Sequence, residues 1–192
     1  MRTLAALLCA ALLGACASSA TTRNTAINAD PQTAWIVGRD GRALGRAIFT
    51  EAPTGVLIRL EFSERLPAGW HGLHLHQIGD CSDFAEGFQA SGAHVRGGDF
   101  AHGLRNPDGP EAGDLPNLYA PAGAPFAAEF YSRFITLNTR ALRMPADRRE
   151  RAPLLDSDGS ALVIHAGPDD HQTQPIGGAG ERIACAALTQ LP

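Results

Sequence analysis

The histidines carry the clearest chemical signal in this sequence. Five of its seven histidines fall between residues 71 and 102, in a segment that also contains many glycines. His74 and His76 alternate with leucine, and residues i and i+2 of a β-strand point to the same face. At about 3.3 Å rise per residue their side chains stand about 7 Å apart along the strand. Two such imidazoles predict half of a copper or zinc site, although an isolated pair of this kind is also common at surfaces and in cores.

Further potential ligands follow in short glycine-containing motifs. His94, His102 and Asp114 lie in one polar stretch, and His165 ends an apolar run near the C-terminus. The motifs in chain order are Gly72-Leu73-His74-Leu75-His76, Gly79-Asp80-Cys81, Gly92-Ala93-His94, His102-Gly103, Gly113-Asp114-Leu115-Pro116-Asn117, Leu162-Val163-Ile164-His165-Ala166-Gly167 and Gly180-Glu181-Arg182-Ile183-Ala184-Cys185.

The elements that position these residues are predicted to be strands. Residues 58–62 alternate apolar and charged side chains, which is typical of a half-buried strand. Long segments without periodicity, 80–125 and 166–181, predict two functional loops, and residues 143–157 predict a loop or a short helix. The predicted strands are 34–37, 46–50, 55–62, 71–77, 130–137, 160–165 and 182–188. The fold class is therefore all-β, an antiparallel β-sandwich or barrel.

Composition limits the possible partners. The chain has 192 residues, is 44% hydrophobic and has a net charge of −4, which suits one packed domain. All 16 basic residues are arginines, and they form no basic stripe, so no nucleic-acid partner is predicted. Nothing in the sequence predicts an oligomeric state.

The N-terminus predicts export. Arg2 precedes an apolar run, residues 4–13, that is too short to span a membrane as a helix. Leu13-Gly14-Ala15-Cys16 then resembles a bacterial lipobox, in which Cys16 is lipidated and anchors the protein to the membrane. The alternative is an ordinary secretory signal cleaved nearby, and both place the protein in the periplasm or cell envelope. The predicted organisation is a signal peptide at 1–15, a flexible tether at 16–32 and one domain at 33–192.

Two cysteines remain for the mature domain. Cys9 leaves with the signal and Cys16 would carry lipid, which leaves Cys81 and Cys185 in an oxidising compartment. They predict a disulfide, with two buried free thiols as the alternative.

The ordered motifs together resemble the copper–zinc superoxide dismutases, in particular the exported bacterial branch. The resemblance covers about residues 46–188 and implies a Greek-key β-sandwich. It also implies that the substrate is superoxide, that the products are dioxygen and hydrogen peroxide, and that the cofactors are copper and zinc.

The resemblance implies a role for each matching residue. Copper would be bound by His74, His76, His94 and His165. Zinc would be bound by His94, which bridges the two metals, and by His102 and Asp114. His71 and Asp169 would support these ligands, with Asp169 linking a copper histidine to a zinc histidine. Arg182 would lie beside the copper, His94 and Arg182 would serve catalysis, and Cys81 would pair with Cys185.

One position departs from the family. A third zinc histidine is expected three residues before Asp114, where this chain has Glu111. A carboxylate is an acceptable zinc ligand. The alternative is that Glu111 faces solvent and that zinc binds weakly or not at all. His171, in the second loop, is interpreted as a surface residue.

Two other functions compete with the dismutase. A copper-binding lipoprotein, acting as a buffer or carrier with little turnover, is favoured by Glu111 alone. A zinc hydrolase would require an open zinc position and a nearby general base, whereas the carboxylates here align as ligands or as their supports.

Overall fold

The described part of the domain contains twelve strands. The structure, a computed structural model, describes residues 30–138, 140–143 and 149–189, so the predicted signal peptide, Cys16 and most of the predicted tether lie outside the described residues. The strands are β1 (Gln32–Gly38), β2 (Ala43–Ala52), β3 (Gly55–Phe62), β4 (Gly69–His71), β5 (Leu73–His76), β6 (Leu118–Ala120), β7 (Phe126–Ser132), β8 (Ile135–Thr136), β9 (Leu142–Arg143), β10 (Glu150–Pro153), β11 (Ser160–His165) and β12 (Arg182–Leu188).

Seven strands form the main sheet in the order β5-β11-β12-β1-β2-β3-β7, with every pairing antiparallel. The chain passes from β3 to the opposite edge at β5, a long connection of the Greek-key kind. The predicted all-β antiparallel fold is confirmed. Two small sheets, β8-β10-β9 and β4-β6, accompany it, and β8 and β10 are parallel.

Helical structure is scarce. Within the described ranges the one helical element is the 3₁₀ turn Gln89–Ser91. No helix in that part of the chain is long and apolar enough to cross a membrane.

The core lies on one face of the main sheet. On β3 the side chains of Ile58, Leu60 and Phe62 are buried, while Arg59 between them points to solvent. Phe62 also stacks on Phe126 of β7, with ring centroids 4.4 Å apart. The period-two pattern thus directs the apolar half of each strand inward, as the sequence predicts.

Four predicted elements differ from the structure. The predicted strand 71–77 is divided at Gly72 between β4 and β5. The predicted strand 130–137 is two strands, because the chain bends at residues 133–134 between β7 and β8. The predicted loop or short helix at 143–157 contains β10, and the long predicted loop contains β6. These strands have two to four residues, too few to show a period.

A buried ion pair holds the segment around β8 and β10 against β2. Arg151 donates to Glu51 through Nη2 and to the carbonyl of Ile135 through Nε, at 2.7 Å. The other oxygen of Glu51 accepts the backbone N–H of Leu137 at 2.6 Å. Because both charges are hydrogen-bonded, their burial is offset, whereas loss of either partner would leave an uncompensated charge in the interior.

Candidate metal centre

The histidines of β5 and β11 lie on the outer face of the sheet. On β5, Leu73 and Leu75 join the main core, so His74 and His76 point the other way. The register pairs Val163 with His74, and Val163 packs in a second, smaller apolar cluster. His165 follows on the same side of β11, after a register shift between residues 164 and 165. Strand alternation therefore brings three imidazoles to one outer face.

The long loop between β5 and β6 covers these histidines and pairs with the free edge of β5. Val95 N–H donates to Leu75 O at 2.9 Å, and Leu75 N–H donates to Gly113 O at 2.9 Å. A side chain at Gly113 is excluded, because a Cβ atom there would lie 2.3 Å from Leu75 O. The pairing sets His94 opposite His76 and Asp114 opposite His74.

Four imidazoles converge at the first candidate site. The side chains of His74, His76, His94 and His165 are all buried, and their ligand atoms lie within 4.8 Å of one another. One nitrogen of each ring has no hydrogen-bond partner among the described residues: His74 Nδ1, His76 Nε2, His94 Nε2 and His165 Nε2. Buried polar atoms are normally paired, so four unpaired lone pairs directed at one point fit a bound metal ion.

The other nitrogen of each ring is held by the protein. His76 Nδ1 donates to Gly92 O at 2.8 Å, and His165 Nδ1 donates to Gly180 O at 3.0 Å. His74 Nε2 donates to Asp169 Oδ2 at 2.9 Å. These contacts fix the tautomer that leaves the inward nitrogen free, as partners of metal-binding histidines do.

Burial keeps three of these rings neutral at neutral pH. It lowers the pKa of His74 to about 4 and that of His165 to about 3, and it holds the pKa of His76 well below its usual value. A neutral imidazole has the lone pair that a transition metal requires.

A second candidate site adjoins the first through His94. It consists of His94, His102, Glu111 and Asp114, with ligand atoms again within 4.8 Å of one another. His102 Nδ1 lies 2.7 Å from Asp114 Oδ1, and His94 Nδ1 lies 2.9 Å from Glu111 Oε2. Two nitrogen and two carboxylate donors suit zinc, and the two nitrogens of His94 face one site each.

Glu111 points into this cluster. Its residue is about 9% exposed, and its second oxygen, Oε1, lies 3.4 Å from Nε of Arg96. Arg96 remains about half exposed and also reaches the carbonyl of Phe100. Glu111 brings a negative charge in place of a neutral imidazole. The positive charge of the Arg96 guanidinium nearby partly compensates it.

The second cluster is charged where the first is neutral. Burial lowers the pKa of His102, but its hydrogen bonds to Asp114 and Asp169 outweigh burial and raise the pKa to about 10. Burial raises the pKa of Asp114, yet its hydrogen bonds to His102 and His94 hold that pKa below its ordinary value. A metal ion entering between these groups would displace ring protons, so binding would release protons.

Asp169 joins the two clusters. One of its oxygens faces His74 Nε2, and the other lies 3.2 Å from His102 Nε2. His71 contacts the backbone of His165, with its Nδ1 2.7 Å from the carbonyl oxygen of that residue. Both residues therefore occupy supporting positions around the clusters.

Arg182 lies beside the first cluster, where its charge acts on His76 and His165, and it is bound by the loop. Its guanidinium donates to the carbonyls of Phe88 and Gly92 and to Oγ of Ser91, at 2.7 to 2.9 Å. The same loop is joined to β12 by the disulfide between Cys81 and Cys185, which confirms the predicted pairing. Across β11 and β12, Arg182 pairs with His165.

Comparison with known proteins decides the family. The sequence model of copper/zinc superoxide dismutase matches residues 43–188. The chain belongs to the copper/zinc superoxide dismutase family. It is 46% identical over 157 residues to a superoxide dismutase [Cu-Zn] of Caulobacter vibrioides, covering 81% of this chain and 84% of that protein. A superoxide dismutase [Cu-Zn] of Aquifex aeolicus is 35% identical over 153 residues, covering 80% and 84%.

A solved structure agrees with the fold of this family. A SOD-like protein from Bacillus subtilis superimposes with a TM-score of 0.70 at 30% identity, covering 82% of this chain and 97% of that one. As a member of the dismutase family, the chain is an oxidoreductase that acts on superoxide and uses copper and zinc.

The structure also shows contacts that sequence reasoning missed. Arg96 faces Glu111, and Asn117 bonds to the backbone of Asp169. His171, interpreted as a surface residue, has a side chain that is only 19% exposed and lies against Asp169. Its position two residues after Asp169 is the one sequence signal that could have indicated this contact.

Proposed function

We propose that the chain dismutates superoxide at a copper ion held by His74, His76, His94 and His165. The observation that carries this assignment is the convergence of four buried, unpartnered imidazole nitrogens, one from each of these rings. Imidazole is a good copper ligand, and three of the rings are neutral at working pH.

The neighbouring cluster is proposed to hold zinc through His94, His102, Asp114 and Glu111. Glu111 is proposed as a ligand because its carboxylate is directed at His94 Nδ1 rather than at solvent. With zinc bound there, His94 would bridge the metals through its two nitrogens.

Copper supplies the one-electron couple by which one superoxide is oxidised to dioxygen and a second, with two protons, is reduced to hydrogen peroxide. His94 is proposed to carry a proton at Nε2, the nitrogen that faces the copper side, in the state in which this nitrogen would not be bound to copper, because its Nδ1 side is fixed by Glu111 and Asp114. Arg182 is proposed to attract and orient the anion, since the protein carries a net charge of −4 and attraction must be local.

The test of this function combines metal content with turnover. Purified protein loaded with copper and zinc is expected to bind one of each ion per chain and to consume superoxide in proportion to its copper. Copper binding without superoxide consumption would contradict the dismutase function and would support the function of a copper buffer or carrier. Zinc binding without copper binding would support the alternative hypothesis of a zinc hydrolase.

Replacement of Arg182 by alanine is expected to lower the second-order rate with superoxide by roughly tenfold and to flatten its dependence on ionic strength. The reason is that its charge lies beside His76 and His165, whose pKa values it lowers in addition to the effect of burial. The measurement is pulse radiolysis at several salt concentrations.

The matched control for Arg182 is Arg59→Ala, which removes the same charge from an exposed ion pair with Glu129 on the main sheet. Arg182→Lys keeps the charge but loses the planar fork that reaches three loop acceptors. Equal rates and equal salt dependence in the alanine variant and the wild type would show that Arg182 does not attract or orient superoxide.

Replacement of Glu111 by glutamine is expected to weaken zinc binding by at least about tenfold, because a neutral amide is a poorer zinc ligand than a carboxylate. Glu111→His should restore zinc occupancy close to that of the wild type. The measurement is competition for zinc with a chromophoric chelator.

Glu129→Gln serves as the control for Glu111, because it neutralises an exposed glutamate on β7. Unchanged zinc affinity in Glu111→Gln would show that Glu111 is not a ligand. A large gain of zinc occupancy in Glu111→His would show that the native site is weakened.

We further propose that the protein is exported to the cell envelope and anchored by lipid on Cys16. The lipobox-like segment supports this, and a disulfide between Cys81 and Cys185 suits an oxidising compartment. Mass spectrometry of the mature N-terminus is expected to find a lipidated Cys16, and Cys16→Ala should release the protein from membranes. An unmodified N-terminus at another residue would show simple secretion instead.

A further inference from the structure

The amide of Asn117 has a defined orientation, and that orientation determines the proton position on His171. Oδ1 of Asn117 accepts the backbone N–H of Asp169 at 2.9 Å, so Nδ2 is the donor side. Nδ2 donates to Asp169 O at 2.8 Å and faces His171 Nε2 at 3.3 Å. The ring nitrogen must therefore accept, which leaves the proton of the neutral ring on Nδ1.

That proton faces the carboxylate that links the two metal clusters. His171 Nδ1 lies 3.3 Å from Asp169 Oδ2, a contact that is electrostatic rather than a well-aligned hydrogen bond. The backbone N–H of His171 donates to the other oxygen, Oδ1, at 2.6 Å. One residue thus contacts both oxygens of a carboxylate whose side chain is fully buried.

The backbone conformation of His171 and its contacts with the first loop fix the residue in this position. Its φ is 62°, in the left-handed region that histidine tolerates better than most residues. Its carbonyl accepts the N–H of Arg105, which belongs to the loop that carries His102. Gly103 makes this approach possible, because a Cβ atom there would lie 2.3 Å from the His171 carbonyl oxygen. His171 therefore connects the loop of residues 166–181 to the loop of residues 80–125, close to Asp169.

We propose that His171 is a positioning residue that orients the Asp169 carboxylate between His74 and His102. Oδ1 of Asp169 then accepts hydrogen bonds from His102 Nε2 and His171 N–H, whereas Oδ2 accepts one from His74 Nε2 and lies 3.3 Å from His171 Nδ1 in an electrostatic contact. Partners of this kind fix the orientation and basicity of metal-binding rings. The inference rests on the proposed function, since it requires metal at both clusters.

The test uses the full chain with copper bound. His171→Asn, which keeps a residue suited to the left-handed backbone, is expected to raise the zinc dissociation constant by roughly tenfold, the lower end of the range for supporting partners. His171→Ala should do the same. Zinc affinity is measured by chelator competition, and the Cu²⁺ electron paramagnetic resonance spectrum is recorded before and after zinc is added. The control is Gln172→Ala, an exposed neighbour on the same loop.

A purely structural role would lower the unfolding temperature of the metal-free protein and leave zinc affinity and the copper spectrum unchanged. That result would overturn the inference. The inference would also be overturned if both His171 variants bound zinc with the same affinity as the wild type and Gln172→Ala. Failure of the proposed function is distinguishable, because the wild-type protein itself would then bind no copper or would consume no superoxide when loaded with copper. Weaker zinc binding in the two His171 variants, with Gln172→Ala unaffected, supports the inference.

Discussion

Replacement of His165 by alanine is expected to remove copper from the purified protein and to lower superoxide consumption by more than about 100-fold, beyond the range seen for supporting residues. The variant removes one of four convergent nitrogens and leaves the donors of the second cluster in place. It should therefore keep zinc while losing copper. Elemental analysis and an activity assay on the same sample measure both effects.

His102→Ala is the matched comparison for His165→Ala. It removes a donor from the second cluster and should reduce zinc while leaving the four nitrogens of the first cluster intact. Circular dichroism of both variants would establish that the sheet is retained. Copper content at the wild-type level in folded His165→Ala would contradict the assignment of this histidine as a copper ligand.

Replacement of both Cys81 and Cys185 by serine is expected to lower the free energy of unfolding of the metal-free protein by about 2–5 kcal/mol. The disulfide closes a loop of 104 residues, so its loss greatly increases the freedom of the unfolded chain. Urea unfolding of the oxidised protein and of the double variant measures the difference.

The disulfide variant should also lose activity. Cys81 packs against the small outer cluster that contains Phe88, and the carbonyl of Phe88 accepts a hydrogen bond from Arg182. Loosening this loop should therefore release Arg182 and lower the rate with superoxide, although the copper ligands stay in place. Wild-type protein treated with a reductant is the control and should behave like the variant. Equal unfolding free energies before and after reduction would contradict the prediction.

Much of the sheet was predictable from local pattern. β3, β11 and β12 have the predicted bounds, because glycine or polar residues border each clear apolar run. The bend at residues 133–134 was not predictable, since Phe134 continues the apolar pattern through it. β8 is held in place by Glu51, 85 residues away from Thr136 in sequence, a contact that no local window contains.

The site was predictable in part. His74 and His76 could be placed on one face by strand alternation alone, and the resemblance supplied the expected roles of the rest. The approach of Glu111 to His94 depends on how the long loop folds back onto β5, and the spacing of residues does not determine that path. The same holds for His171, whose contact with Asp169 follows from backbone conformation rather than from residue type.

The pairing of the long loop with β5 has a consequence for solubility. β5 is the last strand of the main sheet, and an uncovered strand edge is a template for joining sheets of different molecules. The segments around Val95 and Gly113 occupy that edge, and they belong to the loop whose residues form the second cluster. Metal loss that frees this loop would expose the edge, so the metal-free protein is expected to aggregate more readily than the metal-bound protein.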